Sequence, residues 1–105
     1  MHIYESQPDQ QTFNSIADIL DFMASAYYEG AEGFILYEEQ LPAAFFDLRT
    51  GFAGEVLQKF ANYHLRLAIV GEFEKYESNS FQAFIRESNR GKQVFFGRIP
   101  IFTLS

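Results

Sequence analysis

The run Leu67-Ala68-Ile69-Val70-Gly71 most constrains the fold, because its apolar side chains follow one another without alternation. A strand of this kind must be buried on both faces, as the central strands of parallel sheets are. Parallel strands need crossover connections, which are usually helices. The run therefore predicts a strand over residues 65–70 at the centre of an α/β domain.

The other segments alternate in hydrophobic period, as they do in α/β domains. Further strands are predicted over residues 2–5, 33–37 and 93–96. Helices are predicted to begin at Ser15, at Thr50, and at Ser78 or Ser80, where hydroxyl groups can cap the first turn. We expect one domain over residues 1–105, with a mostly parallel sheet of four to five strands and helices packed on it.

Aromatic residues are unusually abundant, with 13 Phe and 6 Tyr in 105 residues. Each buried ring removes a large apolar area from water. Two interpretations follow. Either the core is built from Phe, or some rings, among them Phe45, Phe46 and Phe52, form a surface that a partner covers.

Charge and composition exclude several classes of partner and site. The net charge of −6 argues against nucleic acid and against anionic membranes, both of which need a basic face. The chain has no Cys, so thiol nucleophiles and thiolate metal sites are excluded. The polar start MHIYESQPDQQ has no apolar signal region, and a cytoplasmic protein is expected.

Two stretches resemble a known bacterial family. They are FFDLRTGFAGEVLQKFANYHLRLAIVGEF at residues 45–73 and FQAFIRESNRGKQVFF at residues 81–96. Both are similar to the small proteins grouped as domain of unknown function 4180, and the likeness extends over about residues 15–96. The resemblance implies no known activity. The chain departs from the family at its end, where Pro100 interrupts the expected terminal helix.

A more distant resemblance is to the STAS domain of anti-anti-sigma factors, which has a similar order of elements. It implies a regulatory module whose partner kinase phosphorylates a hydroxyl just before a Gly and a helix. Asp47-Leu48-Arg49-Thr50-Gly51 looks similar, with Thr50 in the phosphoacceptor place. Here one extra residue separates Asp from Gly, and the Ser pair of that pattern is missing.

The first candidate site is the beginning of the second predicted helix. A phosphate on Thr50 would meet unpaired backbone N–H groups and the helix dipole, and Arg49 could pair with it. Glycines in a first turn indicate a close approach by another backbone or a ligand. The plainer interpretation is an ordinary helix cap. The candidate interaction or phosphoacceptor residues are Asp47, Arg49, Thr50, Gly51, Phe52 and Gly54.

The second candidate site is the edge formed by the carboxyl ends of the strands, where open α/β sheets bind ligands. Its predicted residues are Glu38, Glu39, Glu72 and Ser78. With Asp47 and Glu74, the glutamates are expected to gather there, where they would hold Mg²⁺ or meet a basic partner. The plainer interpretation is that acidic residues are common in exposed loops.

No catalytic constellation emerges. His2 and His64 lie far apart, and Gly51-x-x-Gly54 is not followed by the Lys and hydroxyl of a phosphate-binding loop. No cofactor is predicted. We favour a non-enzymatic regulatory or protein–protein interaction module whose partner is another protein, such as a regulatory kinase, or a second copy. Two alternatives stay open: a small-ligand or divalent-metal enzyme at the sheet edge, and self-assembly through the apolar tail, residues 99–105.

Overall fold

Four parallel strands lie side by side in the order in which the chain forms them. The computed structural model describes residues 2–9, 12–91 and 93–99. Its strands are β1 (Ile3–Glu5), β2 (Gly33–Tyr37), β3 (Arg66–Val70) and β4 (Val94–Gly97). The predicted α/β class with a parallel sheet is confirmed.

Three helices connect the strands, and the first turns of two of them are capped as the sequence predicts. They are α1 (Ile16–Tyr28), α2 (Phe52–Asn62) and α3 (Asn79–Arg90). The Ser15 hydroxyl accepts a hydrogen bond from the backbone of Asp18 at 3.1 Å. The Ser78 hydroxyl likewise accepts from the Phe81 backbone at 3.2 Å. Of the two serines proposed for α3, Ser78 is therefore the cap.

The segment between β2 and α2 winds through three short 3₁₀ turns, Glu38–Gln40, Ala43–Phe46 and Leu48–Thr50. The helix cap predicted at Thr50 lies one residue later, at Gly51. Gly51 has φ of +75°, a left-handed conformation that glycine adopts without steric cost. This conformation ends the last 3₁₀ turn and lets α2 begin in a new direction.

All three helices pack on the same face of the sheet. Crossover connections between parallel strands are right-handed. When each new strand is added on the same side of the previous one, as here, right-handed crossovers place all the helices on one face of the sheet. The main core accordingly joins Phe34, Leu36, Leu67 and Ile69 of the central strands to residues of each helix. The prediction that β3 is buried on both faces is confirmed, because Leu67, Ala68 and Ile69 are all buried.

The second face of the sheet has its own small apolar cluster. Ile35 and Ala68 form its centre, and they are 4% and 1% exposed. The partly buried side chains packed around them are those of Ile3, Tyr37, Val70 and Phe95. All these residues belong to strands, so the described helices add nothing to this cluster.

The phenylalanines make the core rather than a surface. Each described Phe is buried or partly buried, and Phe34, Phe45, Phe60 and Phe81 are fully buried. The prediction that Phe45 lies on a partner-binding surface is wrong, because its ring is 0% exposed. The interpretation of a core built from Phe is the correct one for these residues.

The apolar tail falls largely outside the described residues. Ile99 is described and is exposed, whereas residues 100–105 are not described. Self-assembly through this tail stays a prediction. Within residues 2–9, 12–91 and 93–99, no helix has the length and apolar character needed to cross a membrane.

Candidate functional site

The predicted phosphoacceptor segment is a tightly bonded turn. The carboxylate of Asp47 accepts hydrogen bonds from the Arg49 backbone at 3.1 Å and from two Arg49 guanidinium nitrogens at 3.0 and 2.9 Å. These bonds from Arg49 hold the pKa of Asp47 below its ordinary value, and the pKa of Arg49 rises in return. Both side chains are substantially exposed, so the pair orders the turn more than it stabilises the fold.

The Thr50 hydroxyl takes part in the hydrogen bonds of this turn. Its hydroxyl oxygen lies 2.6 Å from the Ala44 carbonyl oxygen and 2.8 Å from that of Asp47, and its single proton can serve one of them at a time. The same oxygen accepts from the Phe52 backbone at 3.2 Å, which satisfies a donor at the beginning of α2. These contacts give Thr50 a structural role directly before α2, next to the N-terminal cap Gly51.

Two further residues of the predicted site differ in accessibility. Phe52 is partly buried, and its ring centre lies 6.0 Å from that of Phe45. Gly54 is exposed, and a Cβ built on it would meet no atom within 4 Å. Nothing in the described chain therefore requires glycine at this position of α2.

The sheet edge brings together three of the four residues predicted there. Glu38, Glu39 and Glu72 line a cavity of about 270 Å³, together with Tyr37, Val70 and Gly71. Ser78, the fourth predicted residue, does not line this cavity. Its hydroxyl caps α3. Within the described ranges, no three His, Asp or Glu side chains are grouped closely enough to hold a metal ion. The alternative of a Mg²⁺ site at this edge therefore gains no support from the described residues.

Glu38 acts as a structural link at this edge. One carboxylate oxygen accepts from the Glu72 backbone at 3.0 Å, and the other accepts from Tyr76 at 2.5 Å and pairs with Lys75 at 2.8 Å. Burial alone would raise the pKa of Glu38, but the bonds from Lys75, Tyr76 and Glu72 outweigh it and lower that pKa. A Cβ at Gly71 would lie 2.5 Å from a Glu38 oxygen, so glycine is required there.

Three tyrosines, which no sequence pattern had singled out, form a surface where α1 and α2 end. Tyr27, Tyr28 and Tyr63 are 46%, 89% and 51% exposed. The Tyr27 ring centre lies 6.4 Å from that of Tyr28 and 5.6 Å from that of Tyr63. We call these three residues the tyrosine surface. With Met23 and Ala24, they line a cavity of about 150 Å³.

A signal for this surface was present in the sequence. Tyr27 follows Met23 by four residues, a spacing typical of the core face of a helix, but Tyr28 directly follows Tyr27 and cannot share that face. Two adjacent tyrosines at a helix end, next to Glu29 and Gly30, indicate that at least one ring faces solvent. Tyr63 gave no comparable signal, because it follows α2 as its C-terminal cap.

An acidic groove runs along another side of α1. It has a volume of about 470 Å³, and its charged lining residues are Asp18, Asp21 and Glu29. Tyr4 and Phe13 are among its aromatic lining residues. Helix α1 itself, IADILDFMASAYY, contains no Lys or Arg, so its exposed side is uniformly negative or neutral.

The model of one protein family matches residues 1–99, which is nearly the whole chain. This family is the Domain of unknown function (DUF4180). The chain belongs to the DUF4180 family. The resemblance found in residues 45–73 and 81–96 is therefore confirmed, and membership assigns no activity to the site. No curated protein and no solved structure matches the chain.

Proposed function

We propose that this chain is a non-enzymatic protein–protein interaction module and that the tyrosine surface is its contact. The observation that supports this most directly is the grouping of three exposed rings, in which Tyr27 contacts both Tyr28 and Tyr63. Tyrosine is enriched at interfaces because it offers a large apolar ring and a hydroxyl that binds water or a partner.

The surface is preorganised, which favours binding. Tyr27 touches both other rings, and the three side chains extend from the ends of two helices that pack on the core. The central ring, Tyr27, therefore loses little conformational freedom when a partner arrives. The enzyme alternative lacks comparable support, because Glu38, the half-buried carboxylate of the sheet edge, is bonded to Lys75 and Tyr76.

The experiment is affinity capture from the native host with matched variants. The double variant Tyr28→Ser, Tyr63→Ser should lose a stoichiometric protein partner that the wild type retains. Arg86→Ala, on the exposed side of α3, is the control and should retain it. Urea unfolding should give nearly equal midpoints for all three proteins, because the changed side chains are exposed. A partner retained by the double variant would overturn this assignment of the surface.

A regulatory role with a kinase partner in a bacterial cytoplasm extends the proposal. The order of elements and the Thr50-Gly51 turn before α2 support the STAS-like comparison. Phosphorylated Thr50 could not donate to the Ala44 or Asp47 carbonyl, so phosphorylation would loosen the beginning of α2. Thr50→Asp should then weaken partner binding while Thr50→Ser should not. Equal binding by wild type and Thr50→Asp would contradict the switch.

A further inference from the structure

The cavity of the tyrosine surface has the chemistry of a site for an organic cation. We propose that it receives the guanidinium group of an arginine on a basic segment of the partner protein. This inference rests on the proposed function and names the partner's chemistry. Its physical basis is the attraction between a cation and the negative faces of aromatic rings.

The ring geometry forms a corner rather than a flat patch. The Tyr27 ring is inclined by 73° to that of Tyr28 and by 59° to that of Tyr63. Rings inclined in this way form adjacent walls of the cavity, and Met23 adds a polarizable side chain to its lining. The cavity of about 150 Å³ is smaller than the 300–1,000 Å³ typical of sites for whole small molecules. It therefore suits one side-chain group.

The surroundings of the cavity favour positive charge. Tyr28 is the last residue of α1, and Tyr63 is the C-terminal cap of α2. Helix C-termini carry partial negative charge, so both helices attract a cation at this point. Among the described residues, a cation–π contact is made elsewhere, between Lys75 and the Tyr76 ring at 5.5 Å. Lys59, one turn before Tyr63 on α2, opposes this attraction with its own charge, whereas the last turn of α1 has no basic residue.

The acidic groove indicates that the cation belongs to a longer basic segment. Asp18, Asp21 and Glu29 line that groove on α1, which also carries Tyr27 and Tyr28. The groove and the tyrosine cavity lie on opposite flanks of α1, so a partner segment that reaches both must cross the exposed side of the helix, where Asp21 and Tyr28 lie. The net charge of −6 would steer such a segment toward this protein. Arginine fits better than lysine because guanidinium is planar, stacks on rings and is more weakly hydrated.

The test uses three short peptides that differ at one position, arginine, lysine or citrulline, between identical basic flanks. Citrulline has the shape of arginine without its charge. Binding is followed by NMR, with the ring signals of Tyr27, Tyr28 and Tyr63 as the readout. The arginine peptide should shift these signals and bind roughly 2- to 30-fold more tightly than the citrulline peptide. Lysine should fall between the two.

Matched protein variants identify the site. Tyr28→Phe with Tyr63→Phe should preserve the preference for arginine, because the ring faces remain. Tyr28→Ala with Tyr63→Ala should abolish it, and Arg86→Ala should leave it unchanged. Equal binding of arginine and citrulline peptides would overturn the inference, as would shifts confined to Asp18, Asp21 and Glu29. If capture of the native partner still requires the tyrosines in that case, the proposed function stands and only the arginine is excluded.

Discussion

The residues of the two predicted sites act mainly in the structure of the turns that hold them. The Thr50 hydroxyl accepts a hydrogen bond from the Phe52 backbone at the beginning of α2, and Glu38 links the end of β2 to the loop after β3. Each side chain satisfies backbone groups that a short turn would otherwise leave unpaired. Substitutions at these positions should therefore be detected first as changes in the free energy of unfolding.

Glu38 should make stability depend on acid pH. Its pKa in the folded protein is lowered, so its contribution is complete above the unfolded pKa of about 4.3 and is lost as pH falls through the folded pKa. Glu38→Gln should lower the free energy of unfolding by about 1–3 kcal/mol at pH 7, because charged hydrogen bonds are lost.

Urea unfolding between pH 7 and pH 3 measures this effect. The curves of wild type and Glu38→Gln should converge toward pH 3, whereas the exposed neighbour Glu39 should give a Gln variant that follows wild type throughout. A constant difference between wild type and Glu38→Gln over the whole range would mean that the charge of Glu38 does not matter.

Two glycines at the beginning of α2 should respond oppositely to alanine. Gly51→Ala should destabilise the protein by roughly 1–2 kcal/mol, because φ of +75° is strained for a residue with a Cβ. Gly54→Ala should stabilise it by up to about 1 kcal/mol, because the site is open and alanine favours helix. Thermal unfolding measures both, and destabilisation by Gly54→Ala would reveal a contact that the fold does not explain.

Among the secondary-structure elements, β4 lies at the edge of the sheet and has its outer backbone groups covered by a side chain. The Asn89 amide of α3 donates to the Phe96 carbonyl at 3.1 Å, and its oxygen accepts from the Phe96 N–H at 2.8 Å. The side chain thus imitates a neighbouring strand and protects an edge that could otherwise pair with another chain.

Asn89→Ala should therefore loosen β4 locally. The expected loss is about 1–2 kcal/mol for two hydrogen bonds at a partly buried site. Hydrogen exchange at the Phe96 amide should accelerate more than exchange at amides within β3. Asn62→Ala, at an exposed position of α2 where Asn62 contacts Gln58, is the matched control. Equal acceleration at Phe96 in both variants would show that the Asn89 bonds do not protect the edge.

The elements were predictable from the sequence to the extent that periodicity and caps define them. The apolar run beginning at Leu67 predicts β3 because consecutive apolar residues are typical of a strand buried on both faces. Ser15 and Ser78 indicate where helices begin because their hydroxyl groups can cap a first turn. The tyrosine surface was harder to predict. Tyr63 meets Tyr27 only after α1 and α2 pack together, and no local pattern encodes that contact.

In the molecule as a whole, the core lies on one side of the sheet and is held largely by aromatic rings. Phe81 of α3 contacts the rings of Phe46, Tyr76, Phe84 and Phe96. It thereby joins α3 to β4, to the 3₁₀ turn Ala43–Phe46 and to the loop after β3. Aromatic pairs gain stability from edge-to-face geometry in addition to the area that they bury. Phe81, which makes several such contacts, therefore couples several elements of the fold.

Phe81→Ala should consequently weaken the whole domain rather than α3 alone. Truncating a fully buried Phe costs about 3–5 kcal/mol, a large part of the 5–15 kcal/mol typical of a domain. Phe84→Ala is the matched control on the same helix, and its partly buried ring should cost clearly less. Urea unfolding monitored by far-UV circular dichroism and by tyrosine fluorescence should give coincident transitions for Phe81→Ala, shifted to lower urea. Separate transitions for the two signals would mean that α3 unfolds independently and that the ring contacts do not unite the core.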